Sequence, residues 1–152
     1  MAIQKKTALI IRLMKIGDIK NLLNTGSNEK GFQVSENTIF WTKGELEKWV
    51  IKNRDDILLI AESGEDLRGY AFSMFHPPTG IGLITNIYVT EAYRHIGIAQ
   101  LLITESIRLL KEKGATYVYA QVESTNIQSL KIFQDTGFTK GKDFTWVEQI
   151  LH

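Results

Sequence analysis

The stretch of this 152-residue chain whose residue types and spacing could do chemistry is Tyr93-Arg94-His95-Ile96-Gly97-Ile98-Ala99. A glycine-bearing turn that opens a helix aims several backbone N–H groups at one point, none of them satisfied within the helix. With the positive end of the helix dipole behind them, they make a site for an anion, above all a phosphate-bearing ligand. An ordinary strand-to-helix connection could use the same glycine for local geometry alone, and the seven residues by themselves leave both readings open. Other reactive side chains are few. There is no cysteine, which excludes disulfides, thiol nucleophiles and thiolate metal sites. His76, His95 and His152 are scattered, so a metal centre lacks ligands. His76, ahead of Pro77 and Pro78, reads as a turn residue.

The turn needs a strand before it and a helix after it. Leu83-Ile84-Thr85-Asn86-Ile87-Tyr88-Val89 supplies the strand, being rich in β-branched and aromatic residues. From Ile98 the apolar residues Leu101, Leu102, Ile107, Leu109 and Leu110 recur at helical spacing as far as Gly114, which suits the position just past a helix end. Arg108 and Glu112 stand one turn apart on its wet side. Upstream, Thr7 to Leu13 reads as a strand, and Ile19, Leu22 and Leu23 after Asp18 as a short helix. The polar run Thr25 to Thr38 reads as a long loop, a length often retained for function. Thr42 with Glu45 matches a capping box opening a helix that frays near Asn53. Ile57 to Ala61 and Gly69 to Phe75, joined across Gly64, predict a hairpin, and the strand to Val89 extends it into an antiparallel meander. Tyr117 to Val122 is a strand reached through a helix, hence a parallel crossover. Asn126 to Thr136 is a helix stopped by Gly137, and Phe138 to Lys140, a Gly141 turn and Phe144 to Leu151 predict a closing hairpin.

Composition narrows the class. With 43% apolar and 23% charged residues the chain is an ordinary globular domain, and residues 1–152 read as one unit. Lysine plus arginine number 18 against 17 acids, a net charge of +1, which argues against a broad nucleic-acid face. No run approaches the ~20 apolar residues that cross a bilayer, and no secretory leader is visible, so a cytoplasmic setting is expected.

Two motifs carry a family resemblance. Val89 and Thr90-Glu91-Ala92-Tyr93 lead into Arg94-His95-Ile96-Gly97-Ile98-Ala99, which reads Arg-x-x-Gly-x-Ala. Asn126-Ile127-Gln128-Ser129-Leu130-Lys131-Ile132-Phe133-Gln134-Asp135-Thr136-Gly137-Phe138 gives an Asn after the next strand and a helix ending in Gly-Phe. Together, in this order, they resemble the GCN5-related N-acetyltransferase (GNAT) superfamily over nearly the whole chain. The resemblance implies an α+β, three-layer acyl-CoA N-acyltransferase fold. Its mixed, mostly antiparallel sheet would have about six to seven strands, splayed in a V between the fourth and fifth, with about four flanking helices. It also implies acetyl-CoA as co-substrate, no metal, and transfer of acetyl to a primary amine by direct attack in a ternary complex. Backbone from Arg94, His95, Ile96, Gly97, Ile98 and Ala99 would cradle the pyrophosphate, and Gly97 would leave room for it. Ile87, Tyr88 and Val89 would border the pantetheine, with an N–H near Val89 polarising the thioester. Asn126 would reach the pantetheine arm and Phe133 would lie near the sulfur.

The chain departs from the family pattern where protons must move. An alkylammonium with pKa near 10.4 is neutral in roughly one molecule in a few thousand at pH 7, so a proton has to leave. Many family members place a Tyr four residues before Gly-Phe as donor to the thiolate; here Phe133 stands there. Members that acetylate ribosomal-protein N-termini carry a Glu five residues before the Asn; here it is Gln121. The substitutes by strand position are Tyr88, Tyr119 and Glu123, each of which could equally be a packing aromatic or a solvated charge. For the acceptor, Phe32, Glu36 and Phe40 are the candidates, from the loop ahead of Trp41. The expected partners are acetyl-CoA and an amine, without nucleic acid or membrane, and with a homodimer left open. The competing reading is a catalytically weak acyl-CoA-binding or regulatory module of the same fold.

Overall fold

A computed structural model describes residues 8–26 and 41–151. Its elements run β1 (Ile10–Leu13), α1 (Ile19–Gly26), α2 (Lys43–Lys52), β2 (Ile57–Ser63), β3 (Asp66–His76), β4 (Ile81–Val89), α3 (Ile98–Glu112), β5 (Tyr117–Ala120) and α4 (Ile127–Asp135), with short 3-10 turns at Ile16–Asp18 and Glu91–Tyr93. Strands β1 to β5 form one sheet in sequential order. The first three pairings are antiparallel and β4–β5 is parallel. The meander and the parallel crossover are therefore as the sequence predicts, and so are the helices.

Local chemistry accounts for the helix ends. The Thr42 side chain accepts the Glu45 N–H at 3.3 Å while the Glu45 carboxylate accepts the Thr42 N–H at 3.1 Å, which closes the capping box on α2. Asn126 caps α4 by accepting the Ser129 N–H at 3.0 Å. Gly114 and Gly137, past the ends of α3 and α4, take φ of +100° and +96°, values that favour glycine. The buried face of α3 is Ile98, Leu102, Ile103, Ser106 and Leu110. Leu101, expected on that face, is 49% exposed.

The sheet is covered on both sides, which explains the unbroken apolar run in β2. Leu58, Ile60, Tyr70, Phe72 and Tyr88 pack with Ile19, Leu22 and Leu46 of α1 and α2. Ile57, Leu59, Ala61 and Ala71 pack with Ile98, Leu102 and Leu110 of α3. A third cluster, Ile84, Ile103 and Phe133, joins β4, α3 and α4.

The strand pairing opens where the sequence places the chemistry. β4 pairs with β5 only from Ile81↔Tyr117 to Ile84↔Ala120. Directly after that, the β3–β4 register slips: Ser73 faces Ile84 and Phe72 faces Asn86, so Thr85 is an extra residue in β4. A bulge bends its strand and increases the local twist. Thr85 is held there by its hydroxyl, which donates to the Phe72 carbonyl at 3.1 Å. Beyond it, residues 85–89 have β3 on one side and no strand partner on the other among the described residues. This is the predicted splay between the fourth and fifth strands, and the bulge supplies its cause.

Among the described residues the sheet has five strands rather than six or seven. The closing hairpin does not form. Gly141 takes no positive φ, no strand is present from 138 to 151, and residues 139–151 are all exposed. No helix among the described residues is long and apolar enough to cross a membrane.

Candidate acyl-CoA site

The turn between β4 and α3 is fixed from both ends. At its start, Thr90 donates its N–H to the Arg68 carbonyl at 2.9 Å and its hydroxyl to the Leu67 carbonyl at 3.0 Å, which pins the end of β4 to β3. The Arg68 guanidinium lies over the Tyr93 ring, 3.4 Å from its centroid, and holds the 3-10 turn down. Arg94 folds back, donating Nε–H to the Val89 carbonyl at 2.9 Å, with its guanidinium carbon 5.7 Å from the Tyr88 ring.

His95 and Gly97 both adopt left-handed backbone, with φ of +64° and +91°. Left-handed residues so close together let successive N–H groups converge on one side of the chain. Gly97 is the N-cap of α3. The backbone N–H groups of His95, Ile96, Gly97, Ile98 and Ala99 meet no acceptor among the described residues. A Cβ at Gly97 would touch nothing within 4 Å, so the space above these donors is open. The protein's own backbone thus demands glycine at 97 through φ, and the space where its side chain would stand is open. Five unspent donors, a helix dipole and an open approach fit a diphosphate.

His95 reaches the neighbouring helix: its Nδ1 lies 3.2 Å from Gln128 Nε2 of α4. Both motifs singled out in the sequence therefore meet at one place, one side being the turn and the other the start of α4. Asn126 spends its amide oxygen on the α4 cap and keeps its NH2 group exposed. Phe133 is 9% exposed, edge-on to Phe138 at 5.0 Å between ring centroids, and packed on Ile84 and Ile103 beside the splay.

The candidate proton carriers have different surroundings. Tyr88 is 8% exposed, and its ring stacks on Tyr70 at 5.4 Å within the α1/α2 cluster. Tyr119 is half-buried on β5 with its ring 6.2 Å from that of Tyr117. Glu123 is exposed; its carboxylate accepts the Thr125 hydroxyl at 2.9 Å and its backbone carbonyl accepts the Asn126 N–H. Phe32, Glu36 and Phe40, the acceptor-side candidates, lie outside the described residues, as does most of the loop containing them. Trp41, next to that loop, packs on Trp49 and Phe72 with centroids 6.2 and 5.1 Å away.

Sequence reasoning missed three supports of this site. Gly69 faces Val89 in the ladder, and a Cβ there would sit 2.4 Å from the Tyr88 carbonyl oxygen. A glycine inside a strand pattern signals such a close approach and could have been read. The Arg68–Tyr93 stack and the His95–Gln128 contact join residues distant in sequence and carry no local signal. A separate concavity near Trp49, Asn53, Asp56 and Phe75 lies toward the other end of β3. On its wall Asp56 accepts both the Trp49 indole N–H at 2.8 Å and the Phe75 N–H at 3.2 Å.

Comparison with known proteins agrees with this geometry. The profile of the Acetyltransferase (GNAT) family matches residues 24–138. The N-terminal acetyltransferase A complex catalytic subunit ard1 of Schizosaccharomyces pombe is 36% identical over 63 residues, which is 40% of this chain and only 36% of that relative's length. Among solved structures, an aminoglycoside acetyltransferase from an uncultured soil metagenomic sample superposes with a TM-score of 0.77 at 18% identity, covering 95% of this chain and 97% of that one. The PaiA N-acetyltransferase of Thermoplasma acidophilum, solved with coenzyme A, gives a TM-score of 0.74 at 18% identity over 90% and 93% of the two chains. At these identities the superpositions establish the fold alone. The family profile spans most of the chain, both sequence motifs and the turn built from them, and the chain belongs to the GNAT family of acetyltransferases.

Proposed function

We propose that this chain is a cytoplasmic, acetyl-CoA-dependent N-acetyltransferase acting on a primary amine of a small molecule or on an exposed protein amine. The observation that carries the reading is the run of unspent N–H donors from His95 to Ala99 above the open space at Gly97. In this reading those donors bind the pyrophosphate of CoA. Arg94 braces the turn through the Val89 carbonyl. The strand-free edge of Ile87, Tyr88 and Val89 receives the pantetheine, and the exposed NH2 of Asn126 donates to its amide carbonyl. Phe133 lines the floor of the splay near the sulfur.

The reaction is a direct acyl transfer. The neutral amine nitrogen attacks the thioester carbonyl carbon, a C–N bond forms, the C–S bond breaks, and CoA leaves as a thiolate. A backbone N–H near Val89 stabilises the oxyanion, a term worth about 3–4 kcal/mol when the donor is well placed. One proton leaves the nitrogen and one reaches the sulfur. Glu123 is exposed and ionisable at the mouth of the splay, which suits passing the amine proton to water. Tyr119 is the better placed phenol for the thiolate, because Tyr88 is packed into the core on the other face. Orientation in the ternary complex supplies much of the remaining rate.

The relatives differ in acceptor, since one is named for aminoglycosides and another for protein N-termini, so the amine is the part of the proposal that they leave open. The competing reading, an acyl-CoA-binding module, is favoured specifically by the non-ionisable Phe133 and Gln121. Calorimetric titration with acetyl-CoA tests what both share, and absence of binding at millimolar ligand ends both. Release of free thiol across a panel of aminoglycosides, polyamines and peptide N-termini then separates them. A chain that binds but releases no thiol above background is a binding module.

A further inference from the structure

The N-terminal end of α4 is joined to the rest of the protein by one side-chain contact. The other half of the helix is well anchored, with Phe133 buried and Ile132 packed beside it on the cluster of Ile84 and Ile103. Residues 123–128, by contrast, are all exposed. Their hydrogen bonds stay within the stretch or within α4 itself. The Asn126 N–H donates to the Glu123 carbonyl, its side chain accepts the Ser129 N–H, the Ile127 N–H donates to the Thr125 carbonyl, and the Thr125 hydroxyl donates to Glu123. Among the described residues, the polar contact that ties this stretch to another element is Gln128 Nε2 to His95 Nδ1 at 3.2 Å.

The residue on the far side of that contact is conformationally unusual. His95 is the single non-glycine residue with positive φ among the described residues. Its left-handed backbone helps the N–H donors of the turn to converge, which glycine would do at less cost. Glycine would give up the side chain, and the side chain is what reaches α4.

We propose that His95 and Gln128 are a positioning pair that sets the spacing between the two walls of the acyl-CoA site. One wall is the N–H donors of residues 95–99, and the other is the Asn126 amide, two residues before Gln128. The inference rests on the acyl-CoA reading above. The first wall is fixed without the pair, since Thr90 bonds to β3 and Arg68 stacks on Tyr93. The second is brought to the first by the pair. A ligand that spans both walls, as CoA does with its diphosphate and its pantetheine, gains affinity when that spacing is set before it arrives. A ligand that touches only the turn gains nothing.

Calorimetric titration with two ligands separates these cases, because ADP carries the diphosphate of CoA without the pantetheine. Gln128→Ala removes the contact from an exposed helical position and leaves the turn intact. It should weaken CoA binding about 3- to 10-fold, the range of one neutral hydrogen bond, and leave ADP binding unchanged. In steady state its KM for acetyl-CoA should rise by the same factor with kcat unchanged, and its Tm without ligand should stay at the wild-type value. His95→Ala should weaken CoA to the same extent, and the double variant should be no weaker than either single one. His95→Asn tolerates left-handed backbone and keeps a polar atom as many bonds from Cα as Nδ1, so it should recover most of what His95→Ala loses. Unchanged CoA affinity in Gln128→Ala, or losses that add in the double variant, overturns the proposal. Equal losses for CoA and ADP also overturn it, because the pair would then act on the diphosphate directly. A wild-type chain that binds no CoA overturns the acyl-CoA reading and the pair's role with it, whereas wild-type binding with unaffected variants overturns the pair's role alone.

Discussion

Replacing Gly97 separates the two demands made on it, one from the chain and one from the ligand. Its φ of +91° is a backbone cost for any L side chain, about 1–2 kcal/mol for alanine. No steric cost is added, because a Cβ meets nothing within 4 Å. At about 2–4 °C per kcal/mol for a chain this long, Gly97→Ala should lower Tm by roughly 2–8 °C. Asparagine tolerates left-handed backbone several-fold better than other non-glycine residues, so Gly97→Asn should cost well under half of that. The ligand sees the opposite order. Both side chains fill the space above the N–H donors, and asparagine fills more of it. Losing one such hydrogen bond to a charged phosphate is worth about 1.5–3 kcal/mol, which weakens CoA binding on the order of 10–100-fold. Thermal unfolding without ligand and calorimetric titration with CoA read the two effects separately. The expected signature is Gly97→Asn near wild type in Tm and far from it in affinity. An asparagine variant that binds CoA as tightly as wild type would refute the pyrophosphate assignment, and an alanine variant with an unchanged Tm would refute the backbone argument.

Gly69→Ala should destabilise by about 1–3 kcal/mol and weaken acyl-CoA binding as well, because its Cβ would collide with the Tyr88 carbonyl 2.4 Å away and push β3 from the end of β4; wild-type Tm would refute it. Phe133→Tyr should leave thiol release undiminished, whereas Phe133→Ala should cost about 3–5 kcal/mol by opening the cluster with Ile84 and Ile103. A large drop in release with tyrosine would mean that the bare ring matters more than a proton donor. The Arg12 cluster predicts an acid response. The Arg12 hydrogen bonds hold the Glu62 carboxyl below its usual range; burial pushes the Asp18 carboxyl up, but Arg12 and the Lys15 N–H bring it down on balance. Carboxyls lowered in the folded state contribute stability above their unfolded values near 4 and lose it as pH falls through the folded ones. Arg12→Met should therefore be less stable than wild type at pH 7, and the gap in Tm should narrow below about pH 4. A gap independent of pH would show that the ion pairs are not its source.

The parts legible in the sequence are those written locally. Thr42 with Glu45, Asn126 ahead of α4, and the glycines at 97, 114 and 137 each announce a helix end through their own chemistry, and each stands where expected. The central turn was legible for the same reason, since a strand, a glycine and an amphipathic run are consecutive. What was not legible depends on partners far along the chain. The Arg68–Tyr93 stack, the Gly69–Tyr88 approach and the His95–Gln128 contact leave no periodic trace. The closing segment shows the reverse error. Residues 144–151 have strand composition, but composition does not say which edge a strand will pair with, and Gly141 does not turn. Leu101 fits the apolar stripe of α3 by type yet faces water, while Ser106 occupies the buried face.

The bulge at Thr85 has a consequence for how β4 divides its labour. Before it, even-numbered residues face α3: a Cβ at Gly82 would touch Leu110, and Ile84 packs on Ile103. After it, odd-numbered residues do so, since Ile87 and Val89 join the α3 cluster while Tyr88 joins the α1/α2 cluster. One inserted residue thus turns β4 into two half-strands in opposite phase. The first half is scaffold, tied to β3 and β5; the second is free on one edge and presents the other set of side chains to each face. Because Ile84 and Asn86 already face the neighbouring residues Ser73 and Phe72, deleting Thr85 would leave Tyr88 and Val89 on their present faces in a regular ladder and would remove the local bend of β4 instead. The extra residue shifts which numbers fall on each face, and what it adds to the strand is a bend rather than an exchange of faces.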